Sequence, residues 1–78
     1  MPSVKGISGP YRFFFFSFDC NEPQHVHVSR DRAICKFWLT PLELSSNSGF
    51  KPAELNAIRR IVETCRRNIL EGWIEHCT

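Results

Sequence analysis

The sequence has little of several features that mark common functional classes. No apolar run approaches the ~20 residues that a membrane-spanning helix needs. Only four glycines are present, and none belongs to a glycine-rich phosphate loop or a Gly-x-Ser-x-Gly elbow. The first residues also lack the basic segment and apolar core of a secretory signal. We therefore expect a cytoplasmic protein with no membrane association and no cofactor.

Cysteine is present, but not in paired Cys-x-x-Cys spacing. The four residues are Cys20, Cys35, Cys65 and Cys77. Their separations do not fit a zinc ribbon, whose ligands come in close doublets. Because cytosolic proteins keep their thiols reduced, we expect free or buried thiols here.

Charge gives no sign of a dedicated nucleic-acid arm. The formal net charge is +2 over 78 residues, and charged residues of both signs are present in both halves of the chain. Neither a basic arm nor an acidic tail is present. Any case for nucleic-acid binding must rest on where individual cations lie.

The first half of the chain has the composition and alternation of β-strands. Runs rich in aromatic and β-branched residues, bounded by turn-forming residues, predict strands at residues 11–18, 24–29 and 33–40. A short edge strand is expected within residues 1–7. Residues 42–44 fit either a strand or a helical turn, and residues 45–50 are expected to form a loop.

The second half has the pattern of one helix over residues 51–76. Lys51 is the expected N-cap, Pro52 suits the first helical position, and Phe50 can pack on Leu55 as a hydrophobic staple. Apolar residues recur at spacings of three and four on one stripe: Leu55, Ile58, Ile61, Val62, Cys65, Ile69 and Trp73. The sequence therefore predicts a single α+β domain over residues 1–78. A three- or four-stranded antiparallel sheet would be followed by one long C-terminal helix packed across it.

His25 and His27 form the most distinctive chemical pattern in the sequence. They are two residues apart on a predicted strand, so both side chains leave the same face. Imidazoles titrate near neutrality, which suits general acid–base catalysis on a phosphodiester. In that interpretation Glu22, shortly before the strand, orients one imidazole.

Two other interpretations of the histidine pair stay open. The pair could bind a metal ion if Cys20 and Cys35 completed the three or four ligands that such sites usually have. Alternatively, Val26 and Val28 face the core and the histidines simply lie on a solvated face.

Three further residues can share the histidine face. Alternation along the predicted strands places Arg12, Lys36 and Trp38 there. Two cations and an indole beside two imidazoles form a surface that suits RNA, through phosphate contacts and base stacking.

Several segments of the chain resemble a known family. Residues 9–15, 21–28, 36–39 and 49–73 resemble the bacterial domain of unknown function 4160 family, with a Pro-x-His-x-His sequence followed by a Lys/Trp strand. This chain departs from the family pattern at Gln24, where a second proline is usual, and at Lys51, where serine or threonine is frequent. The first departure loosens the start of the histidine strand, and the second costs local helix stability.

The resemblance implies a small bacterial protein without an established activity, often a predicted member of a toxin–antitoxin-like gene pair. It implies a small protein partner encoded by an adjacent gene and raises the case for action on RNA. The positions that it implies for the site are Arg12, Glu22, His25, His27, Lys36 and Trp38.

We therefore predict a component of a toxin–antitoxin-like module that acts through a protein partner and on RNA. If the protein is an enzyme, we expect a metal-independent ribonuclease in which His25 and His27 transfer protons while Arg12 and Lys36 stabilise the charged phosphate. Two alternatives are a non-catalytic protein- or nucleic-acid-binding module and a metal-binding domain built on the His-x-His strand.

Overall fold

The strands follow one another in space in the order in which they occur along the chain. The structure, a computed structural model, describes residues 4, 6, 7 and 9–78. The antiparallel sheet has the order β1-β2-β3-β4, and two helices follow it. The bounds are β1 Arg12–Phe14, β2 His25–Arg30, β3 Ala33–Leu39, β4 Leu42–Ser48, α1 Pro52–Thr64 and α2 Arg66–Cys77, with a 3-10 turn at Asp19–Asn21 between β1 and β2. The α+β prediction is confirmed, and the sheet has four strands among the described residues.

The first strand is shorter than predicted. It ends at Phe14, and the expected extension to residue 18 is wrong. Phe15 leaves the sheet to pack edge-to-face on Trp73 of α2, with ring centroids 5.5 Å apart. The chain then turns back through the 3-10 turn. The aromatic run therefore contacts both the sheet and α2 instead of extending one strand. The edge strand expected within residues 1–7 falls largely outside the described residues.

The fourth strand occupies most of the segment that was expected to be a loop. Ser46 pairs with Lys36 and Ser48 with Ile34, so that the strand continues to Ser48 with a register shift near Phe37. Serine and asparagine have weak strand propensity, but pairing with β3 overrides it. Residues 42–44, for which the sequence left two options, belong to this strand.

The hydrophobic core lies between the helices and one face of the sheet. Val26 and Val28 of β2 are fully buried, as their alternation predicts. On β3 the same face carries Cys35, Phe37 and Leu39, each no more than 2% exposed. The odd-numbered residues of β2 and the even-numbered residues of β3 therefore lie on the opposite face of the sheet.

The C-terminal half forms two helices where one was predicted. Lys51 is the N-cap and contributes no side-chain hydrogen bond, while Pro52 begins α1, both as expected. The break lies at Cys65, with φ −100° and ψ 16°, and neither proline nor glycine signals it. The apolar stripe continues across the break, and Ile58 and Ile69 on either side of it are fully buried.

Two of the four cysteines form a disulfide. Cys20 in the 3-10 turn is bonded to Cys77 at the end of α2, 57 residues later in the sequence. Cys35 and Cys65 are free thiols. The expectation of free thiols is therefore wrong for Cys20 and Cys77, because α2 ends beside the β1–β2 connection.

Within the part of the chain that the structure describes, neither helix has the length and apolar composition required to cross a membrane.

Candidate functional site

The strand register places the predicted site residues that lie on strands on one face of the sheet. Lys36 lies opposite His27, and Trp38 lies opposite His25. Phe14 also lies opposite His27, which puts Arg12, two residues earlier, on the same face. The shared face expected from strand alternation is confirmed.

The histidines are not on a solvated surface. The His25 side chain has no exposed area, and that of His27 is only 12% exposed. Two phenylalanines cover His27, one at the end of β1 and one in the β1–β2 connection (residues 15–24), which folds back over this face. Phe14 stacks on His27 at 5.6 Å, and Phe16 meets the same ring edge-on at 4.6 Å. The solvated-face interpretation is wrong.

A buried aspartate lies between the two imidazoles. Asp19 Oδ1 is 3.1 Å from His25 Nε2, and Asp19 Oδ2 is 3.1 Å from His27 Nε2. The backbone amide of Phe16 donates to Asp19 Oδ2 at 2.7 Å and holds the carboxylate in place. We call Asp19, His25 and His27 the triad.

Asp19 was not among the residues singled out from the sequence. In the sequence it is one of several turn-forming residues after an aromatic run. Its only distinguishing signal is an acidic side chain a few residues before a His-x-His strand. The 3-10 turn that directs the side chain back over the sheet cannot be inferred from that signal.

A second hydrogen bond fixes the tautomer of His25. Its Nδ1 lies 2.8 Å from the carbonyl oxygen of Pro23, which can only accept a hydrogen bond. Nδ1 therefore carries a hydrogen, and in the neutral imidazole Nε2 presents a lone pair. That lone pair faces a carboxylate oxygen of Asp19. Two electron-rich atoms at this distance repel each other unless a cation lies between them.

Among the residues that the structure describes, neither Nε2 atom of the triad has a partner that meets the geometry of a hydrogen bond. Asp19 is near enough, but the contacts do not meet the geometry of an N–H···O hydrogen bond. Nitrogen atoms this deeply buried are normally paired. The three side chains offer one donor atom each within 4.8 Å of one another, which makes them a candidate metal-binding group.

The protonation tendencies of His27 and Asp19 agree with that arrangement. Burial lowers the pKa of His27 and outweighs the opposing effect of the Asp19 carboxylate, so the neutral imidazole is favoured. Burial raises the pKa of Asp19, but the Phe16 amide and the two imidazoles outweigh it and bring the pKa below its ordinary value. A neutral imidazole and an ionised carboxylate are the forms that ligate metals.

Glu22 has a different partner from the one expected. Its Oε1 is 3.9 Å from His25 Nδ1, beyond hydrogen-bonding distance, and 2.6 Å from Lys36 Nζ. The Lys36 ammonium also lies 4.3 Å from the centroid of the Trp38 ring. The carboxylate in contact with both imidazoles is therefore Asp19, and Glu22 forms an ion pair at the rim of the site.

The predicted metal set that included two cysteines is not formed. Cys20 is in the disulfide with Cys77. Cys35 lies opposite Val28 on the core face and is 2% exposed, so its thiol points away from the histidines. The candidate ligand set therefore contains Asp19, His25 and His27 and neither cysteine.

The ionisable groups limit what this face can do as an acid–base site or an RNA surface. His25 is buried and does not reach a substrate at the surface. Arg12 is exposed, and its guanidinium carbon lies 5.4 Å from the Phe14 ring centroid. The second predicted cation, Lys36, is neutralised by Glu22.

Comparison with known proteins gives one match. A family model described as a domain of unknown function, DUF4160, matches residues 11–74, which include the triad and all four strands. Neither the curated proteins nor the solved structures include a match to the chain. Since the match covers well over half of the sequence, the chain belongs to the domain of unknown function 4160 family.

Proposed function

We propose that the protein is a metal-binding domain that holds one divalent transition-metal ion between Asp19, His25 and His27. The observation that carries the proposal is the His25 tautomer. Its Nδ1 donates to Pro23, which leaves the Nε2 lone pair directed at a carboxylate oxygen 3.1 Å away. A cation between these atoms turns the repulsive contact into two coordinate bonds.

The donor spacing supports a metal ion. Zinc binds histidine nitrogen and carboxylate oxygen at about 2.0–2.2 Å, and tetrahedral angles then separate the donors by roughly 3.3 Å. The two contacts from Asp19 to the imidazoles are both 3.1 Å. Binding of one ion by all three donors also requires the two imidazole nitrogens, which lie within 4.8 Å of each other, to approach this spacing.

The surroundings of the ligands also match those of metal sites. Ligating histidines usually donate their second ring nitrogen to a carbonyl or carboxylate, which fixes the ring and raises its basicity. His25 does so through Pro23. Trp73 and Trp38 meet the His25 ring edge-on at 5.1 and 5.5 Å and restrict its rotation.

The ligand types narrow the choice of metal. Two imidazoles and one carboxylate suit zinc, and they are also the ligands of open iron(II) sites. Three protein ligands leave at least one coordination position for water or another molecule. The partly exposed His27 marks the side from which such a molecule reaches the ion.

A proton on His25 Nε2 is the other cation that would relieve the contact. A proton would favour an N–H aligned with one carboxylate oxygen. The contacts of both imidazoles with Asp19 lack that alignment, although both nitrogens converge on this one carboxylate. This convergence favours an ion shared by three ligands.

Calorimetric titration of the chelator-treated protein with Zn²⁺ tests the proposal. We expect binding of one ion per chain, and a Co²⁺ complex with visible absorption bands of a site containing nitrogen and oxygen ligands. The variants Asp19→Asn and His27→Ala should lose this binding. Glu22→Gln is the matched control, because it removes a carboxylate from the rim of the site without removing a donor atom of the triad. Absence of binding by the wild type, or equal binding by His27→Ala, would refute the proposal.

A second candidate is the predicted RNA-directed role in a toxin–antitoxin-like module with a protein partner. The observation in its favour is that Arg12, Lys36 and Trp38 share one face. The ion pair of Lys36 with Glu22 leaves Arg12 as the cation best placed to meet a phosphate. Anisotropy of a labelled single-stranded RNA tests it: binding that weakens with salt and falls in Arg12→Gln, but not in Arg67→Gln on α2, is expected. Identical titrations for the two variants would exclude a role for this face in RNA binding.

A further inference from the structure

The segment that carries Asp19 is attached to the last turn of α2 on both sides of that residue. On one side, Cys20 is bonded to Cys77. On the other side, His76 Nε2 lies 2.8 Å from the carbonyl oxygen of Phe16. Phe16 in turn donates its amide to the Asp19 carboxylate. The end of α2 therefore helps to fix the position of the Asp19 carboxylate beside the two imidazoles.

Apart from the disulfide, the described residues hold this segment through non-covalent contacts, among them the packing of Phe16 on His27 and the ion pair of Glu22 with Lys36. The 3-10 turn has no side-chain cap, and its internal backbone hydrogen bonds are local, from Asp19 to Phe16 and from Glu22 to Asp19. Phe18 stacks on Phe16 but is 65% exposed. The two histidines, in contrast, are fixed on β2 by the sheet. Asp19 is thus the ligand whose position depends most on the disulfide.

The disulfide is accessible to a reductant. Cys20 is exposed and Cys77 is half-buried, whereas the free thiol of Cys35 lies in the core. Exposed disulfides are more readily reduced than buried ones, and those in reducing compartments are commonly redox-sensing or catalytic. Cys77 also lies beyond residues 11–74, the part that matches the family model, so the bridge depends on a residue outside that match.

We propose that the Cys20–Cys77 disulfide controls the metal affinity of the triad by holding Asp19 in place, so that reduction of the bridge releases metal. This inference rests on the proposed metal-binding function. In the oxidised protein the carboxylate is held between the two imidazoles. In the reduced protein the covalent attachment of Cys20 to α2 is lost while non-covalent contacts such as Phe16–His76 and Glu22–Lys36 remain, and Asp19 spends less time in the ligating position.

A dithiol reductant supplies the electrons for the redox step. A thiolate of the reductant attacks one sulfur of the bridge and forms a mixed disulfide, which releases the other cysteine. The second thiol of the reductant then displaces the bound cysteine. Two electrons and two protons pass to Cys20 and Cys77, and the dithiol leaves as a disulfide.

Zinc affinity in the presence and absence of the bridge tests the inference. The oxidised wild type is compared with the Cys20→Ser/Cys77→Ser double variant by competition with a chromophoric chelator. Since loss of outer contacts to metal ligands typically costs 10- to 100-fold in affinity, we expect the double variant to bind at least ~10-fold more weakly. Cys65→Ser, which removes a free thiol and leaves the bridge intact, should bind like the wild type.

Each outcome separates this inference from the function on which it rests. Equal or tighter binding by the double variant refutes redox control and leaves the metal site standing. Four reactive thiols per chain in the air-oxidised, denatured wild type also refute it. If the oxidised wild type binds no metal, the proposed function itself fails. Far-ultraviolet circular dichroism of the double variant shows whether it is folded. Wild type reduced with a phosphine gives the same comparison without any substitution.

Discussion

Glu22 and Lys36 form an ion pair across the rim of the site, with Oε1 and Nζ 2.6 Å apart. The two residues are 14 positions apart in the sequence. Lys36 also covers the Trp38 ring, so the ammonium is held between a carboxylate and an aromatic face. The pair closes one side of the histidine face and removes a positive charge from any surface offered to RNA.

Replacement of Lys36 by methionine should raise the pKa of Glu22 towards its ordinary value. The hydrogen bond from Lys36 is the largest cause of the lowered pKa, because it favours the ionised carboxylate. A group with a lowered folded-state pKa stabilises the fold above its unfolded pKa, and the contribution is lost as the pH falls through the folded value. Carbon-13 NMR titration of the Glu22 carboxyl measures the change. Arg12→Gln on the same face is the control, and an unchanged Glu22 midpoint in Lys36→Met would contradict the assignment.

Zinc should stabilise the fold against heat and denaturant. A ligand that binds only the folded state adds about 2.7 kcal/mol to the free energy of unfolding at one hundred times its Kd. We expect the melting temperature to rise with zinc concentration and to return on addition of a chelator. Differential scanning calorimetry measures it, with His27→Ala as the variant that should not respond. An equal rise in both proteins would assign the stabilisation to zinc bound outside the triad.

The parts of the fold that depend on local periodicity could be predicted from the sequence. Alternation along residues 24–29 placed Val26 and Val28 in the core and His25 and His27 together on the other face, which the register confirms. Helical spacing likewise identified the buried stripe of the C-terminal half. In both cases the periodicity of the backbone, in a strand or in a helix, decides which side chains lie on the same face.

The features that depend on contacts between distant segments could not be predicted. Cys20 and Cys77 meet only because the end of α2 lies beside the β1–β2 connection. Asp19 becomes a candidate ligand only because the β1–β2 connection folds back over β2. The loop expected at residues 45–50 is mostly strand, because β3 supplies hydrogen-bonding partners that a propensity argument does not include.

Ile69→Ala should be among the more damaging substitutions in the core. The Ile69 side chain has no exposed area and lies on α2 against the sheet. Removing buried methyl groups leaves a cavity and costs about 2–5 kcal/mol. The matched control is Ile74→Ala on the same helix, which is 55% exposed and should change stability by less than about 0.5 kcal/mol. Urea denaturation of both variants measures the difference, and similar midpoints would contradict the packing of α2.

In the native protein, iodoacetamide should alkylate Cys65 and leave Cys35 unmodified. Burial raises the pKa of Cys35 to about 12, so at pH 8 only about one thiol in ten thousand is ionised, and the thiolate is the reactive form. Cys65 is half-buried beside a surface cavity of about 310 Å³, which gives the reagent access. Intact mass spectrometry should find one adduct on the native oxidised chain and two after denaturation without reductant. The second adduct on denaturation comes from Cys35, since Cys20 and Cys77 stay bonded until reduced. Two adducts on the native chain would mean that Cys35 is exposed by opening of the sheet–helix core on the timescale of labelling.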